Sequence, residues 1–339
     1  MNPNFQVNVM KTKIVYVLVS SSQDIYLEQA YISMYSLKHH MPNAHIVLLT
    51  DSATNKTFSG IREKETKYAD EIIAIDLDAE KYNGQQRSRI LKTSVRKYIK
   101  GDFLFIDCDT IITKPLNDIE GIDADIAACW DTHSRFMDNP YRDMCIEHAQ
   151  LLGWNVENEK EYFNSGVIYV KDSPIAYQFY DLWNQNWING LEKGVKMDQP
   201  AFALTNFQMG HIIKTLPDIW NCELKHGIRY LKDAYIVHYL CTNPSIFQTK
   251  QVFLLNEMDV LLEVKKTGSI SDNIKKTIDN PFYGLAEITH VFAGEDIYFF
   301  HTDSYKYLRS RFKRGKKSLQ DKWLMMFKFM GDFKNKLLK

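Results

Sequence analysis

Short apolar runs ending in polar clusters alternate with stretches of helical period along roughly the first 240 residues. Residues 13–22, KIVYVLVSSS, read as a buried strand running into a polar loop. Leu27, Tyr31, Met34 and Leu37 then recur at helical spacing, with Asp24 placed to cap that helix and Pro42 beyond its end. HIVLLTD (45–51) and EIIAIDLD (71–78) are a second and a third strand. Residues 83–101 predict a helix with Ile90, Leu91, Ser94, Val95 and Tyr98 on one face, and DFLFIDCD (102–109) a fourth strand. DIAACW (125–130), FNSGVIYVK (163–171) and KDAYIVHYL (232–240) are further strands. Residues 173–190 read as a helix with Pro174 in its first turn and Gly190 past its end. From about 250 onward the pattern turns helical.

Alternation of this kind predicts an α/β protein, a mostly parallel sheet with both faces covered. Ligands of such open sheets bind beyond the carboxyl ends of the strands. Ser20–Ser22, Asp51, Asp107 and Asp109 all fall there.

Hydrophobic residues make up 45% of the 339 and charged ones 25%, so a sizeable core is available. Net charge is zero, which gives no reason to expect nucleic acid. The five cysteines are odd in number and never spaced C-x-x-C, which predicts reduced thiols and no zinc site. The opening MNPNFQVNVMKTK lacks the apolar stretch of a secretory signal, and no run of about 20 apolar residues occurs. The expected location is cytoplasmic.

D-x-D occurs three times, as Asp76/Asp78, Asp107/Asp109 and Asp123/Asp125. A solvated turn accounts for most such pairs. Asp107/Asp109 differs because it ends the most apolar strand, with TIITKPL resuming straight after. Carboxylates at i and i+2 of an extended chain point the same way. They repel unless something positive sits between them, and they offer hard oxygens to Mn²⁺ or Mg²⁺.

RSRILKTSVRKYIKGDFLFIDCDTIITKPL, YFNSGVIYVK, KMDQPAFAL and IVHY occur in the order seen in glycosyltransferases of the GT-A (Rossmann-like) fold. Over residues 12–242 the chain resembles glycosyltransferase family 8, retaining enzymes that include glycogenin and bacterial lipooligosaccharide galactosyltransferases. The resemblance implies that Asp107, Asp109 and His238 hold a divalent cation bridging the diphosphate of a nucleotide sugar, a UDP-hexose. It implies that Lys92 reaches the donor, with Arg89 on the same helix face, and that Asn164 and Ser165 contact the donor sugar beside Gly166. Asp198 and Gln199 match the pair nearest the anomeric carbon, although Asp198 also suits a helix N-cap. Ser20, Ser21 and Tyr26 match the nucleotide-binding start, with Tyr26 stacking on uracil. The segment HYLCTNPSIF departs from the family pattern, because it lacks the Gly and the Lys-Pro that follow the metal histidine. Lys250 or another basic residue then has to meet the diphosphate.

The expected organisation is a catalytic domain over 12–250, a helical extension over 251–300 packed on it, and a basic amphipathic segment over 301–339. That last segment holds 12 Lys/Arg against three Asp. Ser318 and Asp321 form a capping-box pattern, and Leu319, Trp323, Met326, Met330, Phe333 and Leu337 make one apolar stripe. The expected partner of 305–339 is an anionic membrane surface at the inner face, with a lipid-linked saccharide as acceptor. Heptad spacing fits a homodimer as well. Two other functions compete. One is a catalytically inactive, membrane-tethered binding protein on the same fold. The other is a sugar nucleotidyltransferase, but VLVSSSQD lacks the glycine-rich loop typical of those enzymes.

Overall fold

The computed structural model describes residues 10–240, 253–285 and 302–306. The chain divides into a compact unit over 1–286 and a second unit over 287–339. The first unit begins with β1 (Lys13–Leu18), α1 (Tyr26–His40), β2 (Ile46–Asp51), two short helices α2 (Ser52–Asn55) and α3 (Ile61–Glu65), and β3 (Glu71–Ile75). α4 (Gly84–Thr93), α5 (Val95–Tyr98), β4 (Phe103–Ile106), β5 (Thr110–Ile112) and β6 (Ile126–Trp130) follow. Next come α6 (Arg142–Leu152), β7 (Phe163–Val170), α7 (Pro174–Glu192), α8 (Gln199–Gln208) and β8 (Lys214–Thr215). β9 (Cys222–Glu223), β10 (Ile236–His238), α9 (Met258–Thr267) and α10 (Asp272–Asp279) complete it.

Seven strands form a mostly parallel sheet in the order β3-β2-β1-β4-β7-β6-β8. β7 is antiparallel to both its neighbours. Strand alternation sorts the side chains into two cores. Ile14, Tyr16, Ile46, Leu48, Leu104 and Ile106 pack on the side of α1. Val15, Val47, Leu49, Phe103 and Phe105 pack on the other side with Leu91, Phe179, Trp183 and Phe202 of the helices. Burial on both faces is why these strands read as continuous apolar runs. A second, three-stranded sheet has the order β5-β10-β9. Its Ile111, Cys222 and Val237 share a third core with Phe253, Leu261, Val264, Ile274 and Ile278, so 253–285 packs on this sheet and on Tyr31 and Ile32 of α1.

Some local expectations are corrected. Asp24 does not cap α1, whose N-cap position is Ile25 without a side-chain bond. Its carboxylate instead gathers Ser20 Oγ, Ser21 N and Tyr26 N at 2.6, 2.7 and 3.2 Å. Asp51 is an N-cap that accepts from Thr54 N and pairs with Arg87, so it is structural. Asp78, in line with the expected turn, closes one by accepting from Glu80 N and Lys81 N. The helix over 83–101 breaks at Ser94, where φ is −120°. Gly190 lies inside α7 rather than past its end, facing Leu152 of α6. The strand over 232–240 shrinks to β10 behind a 3₁₀ turn at Leu231–Asp233.

Candidate active site

The ends of β4, β7 and β10 meet on one rim of the fold. Asp107 and Asp109 lie in the link that carries the chain from β4 in the large sheet to β5 in the small one. That link is pinned by backbone bonds. Asp107 N donates to the Gly166 carbonyl at 2.8 Å, and Tyr239 N donates to the Asp109 carbonyl at 3.2 Å. His238 ends β10, in register with Thr110 of β5. One ligand atom each from Asp107, Asp109 and His238 can be chosen so that all lie within 4.8 Å of one another.

The imidazole is oriented by a relay of amides. Asn221 donates from Nδ2 to Asn164 Oδ1 at 3.0 Å. Its oxygen therefore faces His238 Nδ1 at 2.9 Å and takes the proton there. That leaves His238 Nε2 toward the carboxylates, 3.2 Å from Asp109 Oδ1. Metal-binding histidines are commonly oriented in this way through the other ring nitrogen. Burial tends to lower the His238 pKa, but the Asp109 and Asp107 charges outweigh it and raise the value. Burial raises the Asp107 pKa, with Asp109 adding to it against Lys92.

Two carboxylates and one aimed imidazole suit a hard or borderline divalent cation such as Mg²⁺ or Mn²⁺. The backbone makes room for that group. A Cβ at Gly166 would stand 2.5 Å from His238 Cε1 and 2.9 Å from both Asp107 Oδ2 and Asn164 Oδ1. Only glycine lets β7 run this close to the triad. The residues present therefore fit the cation.

A cluster of opposite charges adjoins the triad. Lys92 of α4 is buried, and its Nζ lies 3.2 Å from Asp107 Oδ1 and 3.1 Å from Asp198 Oδ2. Arg89, one turn earlier, has Nε 2.9 Å from Asp198 Oδ1. Ser165 Oγ donates to Asp198 Oδ2 at 2.9 Å. Gln199 Oε1 accepts from Ser165 N at 3.3 Å. Asp198 occupies the N-cap position of α8 without making the capping bond, because its oxygens face Arg89, Lys92 and Ser165. Burial pushes the Asp198 pKa up, but Arg89 and Lys92 reverse this and hold it well below the usual range. It is an anion at any working pH.

Arg89, Lys92, Asp107, Asp109, Asn164, Ser165, Asp198, Gln199 and His238 are thus brought together. Ser20 and Ser21 lie in the loop after β1, and Tyr26 opens α1 at its end, within electrostatic reach of Arg89. The hydroxyls of Ser20 and Ser21 are engaged by Asp24. Tyr26 is 54% exposed. β1 and β4 are adjacent strands, so this loop flanks the triad. Lys250 lies outside the described residues.

Two polar residues escaped the sequence reading. Asn221 belongs to no motif and sits 17 positions before its partner His238. Asp131, nearly buried, follows the last residue of β6 and accepts from Asn139 Nδ2 at 2.9 Å and Asn164 Nδ2 at 3.3 Å. A carboxylate directly after an apolar strand was the signal available for it.

The sequence matches no family profile and no curated protein. Among solved structures, the bifunctional glycosyltransferase WbbM in its apo form aligns with a TM-score of 0.52 and 16% identity over 83% of this chain and 53% of that one. The galactosyltransferase LgtC in complex with donor and acceptor sugar analogs aligns with a TM-score of 0.51 and 13% identity, over 78% of this chain and 99% of that one. At such identities the likeness establishes the architecture.

Proposed function

The chain has the GT-A glycosyltransferase fold, and we propose that it is a metal-dependent glycosyltransferase using a nucleotide sugar. The observation that carries this reading is the Asp107–Asp109–His238 triad closed by Gly166, beside the Lys92–Arg89–Asp198 cluster. The preferred donor is a UDP-hexose and the preferred cation Mn²⁺ or Mg²⁺. Residues 12–250 would be catalytic, 251–300 an extension packed on them, and 301–339 a basic segment that meets an anionic membrane carrying a lipid-linked saccharide.

Asp107, Asp109 and His238 would hold the cation, whose Lewis acidity would stabilise negative charge on a departing diphosphate. Lys92 and Arg89 add fixed positive charge to the same region without reorganising during the reaction. Asp198, kept anionic by both, is suited to accept hydrogen bonds from sugar hydroxyls and to face positive charge developing at the anomeric carbon. Gln199 and Asn164 orient the sugar through amides already tied to the framework. Ser20, Ser21 and Tyr26 would receive the nucleotide, with uracil on the exposed Tyr26 ring. Retention is the preferred course, because an acceptor hydroxyl arriving on the leaving-group side can pass its proton to the departing phosphate oxygen.

The test is a Mn²⁺-dependent screen of nucleotide-sugar hydrolysis with the native chain and Asp109→Asn. We expect UDP release from one donor, lost in the variant and in chelator. No release from any donor, together with no Mn²⁺-dependent UDP binding, would overturn the reading.

A further inference from the structure

Beneath the loop after β1 lies a second charged cluster, away from the triad. Glu28 of α1 and Glu65 at the end of α3 are both completely buried. No side chain donates a hydrogen bond to any of their four carboxylate oxygens, and the backbone at Glu28 itself is the one donor that acts on the Glu28 carboxyl. A buried acid without a donor is costly when ionised. Two such acids within electrostatic reach of each other cannot easily both be charged.

The neighbouring cations are occupied with the loop. Arg62 of α3 donates from Nη1 to the Ser21 carbonyl at 3.0 Å and from Nη2 to Ser20 Oγ at 3.2 Å. Lys265 of α9 donates to the Asp24 carbonyl, and its Nζ lies 3.6 Å from Glu28 Oε1. Helices α1, α3 and α9 therefore converge on this pocket. The charges reaching Glu65 are Glu28, Arg62 and Lys265, those reaching Glu28 are Lys265, Arg62 and Asp24, and the Tyr31 hydroxyl stands near Glu65.

We propose that Glu28, Glu65, Arg62 and Lys265 form a proton-controlled latch on the loop that carries Ser20, Ser21 and Tyr26. Burial raises the Glu28 pKa as well, so one proton is shared by the Glu28–Glu65 pair, and the pocket then holds one negative charge. Lys265 balances it while still holding Asp24, and Arg62 stays on Ser20 and Ser21. Loss of that proton puts a second charge beside the Glu65 oxygens, which no donor meets. Arg62 and Lys265 are the cations available to it, and turning toward it takes them off the loop. Burial, and then the Glu28 charge, push the Glu65 pKa up to about 8, so the change falls near neutral to mildly alkaline pH. That the loop receives a nucleotide depends on the transferase reading. The latch does not.

The sign follows from linkage. The folded state holds the Glu65 proton more tightly than the unfolded chain does. Stability therefore falls as pH rises from the ordinary carboxyl range to about 8, and levels off above. Glu65→Gln cannot ionise and should lose this slope. The experiment compares the native full chain with Glu65→Gln at pH 6.5 and 8.5, by thermal unfolding and by amide hydrogen exchange over residues 20–26. Glu65→Met, neutral and of similar length, serves if Gln does not fold. The latch predicts equal loop protection at the lower pH. At the higher pH the native loop should exchange on the order of tenfold faster than the variant's, since one linked proton changes an equilibrium tenfold per pH unit. Equal protection at both pH values, or an unchanged stability slope, would overturn it. UDP binding at the same pH values separates the two readings. A loop that responds in a protein that never binds UDP keeps the latch and removes the nucleotide.

Discussion

Gly166 has the narrowest tolerance in the site. A methyl group there would meet His238, Asp107 and Asn164 at 2.5–2.9 Å, so at least one of them must move. Gly166→Ala should weaken Mn²⁺ binding by about 10-fold or more, in line with losses from disturbing the groups around metal ligands, while circular dichroism stays native. Titration of bound Mn²⁺ by electron paramagnetic resonance would read this. Asp198 gives a prediction in pH. Its folded pKa is depressed, so its stabilisation is complete above the ordinary value of about 3.9 and is lost as pH falls below it. Asp198→Asn should flatten the stability curve on the acid side of that value. At neutral pH it should cost about 3–5 kcal/mol, because Lys92 and Arg89 lose a buried partner. Urea unfolding between pH 2 and 7 tests both. The sequence made Asp107, Asp109 and His238 legible because polar residues at the ends of apolar strands have few structural reasons to be there, whereas Asp198, ahead of α8, was legible only through the family resemblance. It hid Asn221, whose role exists only through a hydrogen bond to a residue 17 positions away.

At the scale of elements, the large sheet was readable because β1, β2 and β4 are buried on both faces and leave unbroken apolar runs. The small sheet was not, because β10 was read only within a longer strand over 232–240, and β5 and β9 have three and two residues, too few for a period to appear. The helix over 83–101 hid its break because Ser94 fits the apolar face by spacing. Its hydroxyl, however, donates back to the Ile90 carbonyl at 2.5 Å, and such local bonding often bends helices. Gly190 misled in the opposite direction. Glycine commonly ends helices, but here it makes room for Leu152. A similar close approach governs α10, where a Cβ on Gly284 would stand 2.4 Å from Thr277 Cγ2 and 2.6 Å from Phe253 Cε2. Both neighbours are fully buried. Gly284→Ala should therefore destabilise the packing of 253–285 on the small sheet by about 1–3 kcal/mol, the usual cost of overfilling a core. A lowered urea midpoint would show it, and an unchanged midpoint would mean that this segment yields freely.

For the whole molecule, the distribution of charge carries the argument. Residues 301–339 have a net charge of +9 and the preceding 300 residues −9, within a chain that is neutral overall. Among the described residues no helix is long and apolar enough to cross a membrane. The stripe and its lysines lie outside the described residues, and the prediction stands on their sequence alone. Each basic residue near an anionic surface contributes about 1 kcal/mol, and the attraction weakens as salt shortens the Debye length. The full chain should therefore sediment with vesicles containing phosphatidylglycerol, release them at about 1 M salt, and ignore neutral phosphatidylcholine vesicles. Replacing Arg309, Arg311, Lys313 and Arg314 by Glu should abolish the binding without touching hydrolysis of the free nucleotide sugar. A chain that ignores anionic vesicles yet sediments as a dimer would assign the apolar stripe to a second copy instead, because heptad spacing serves a partner helix as well as a lipid surface.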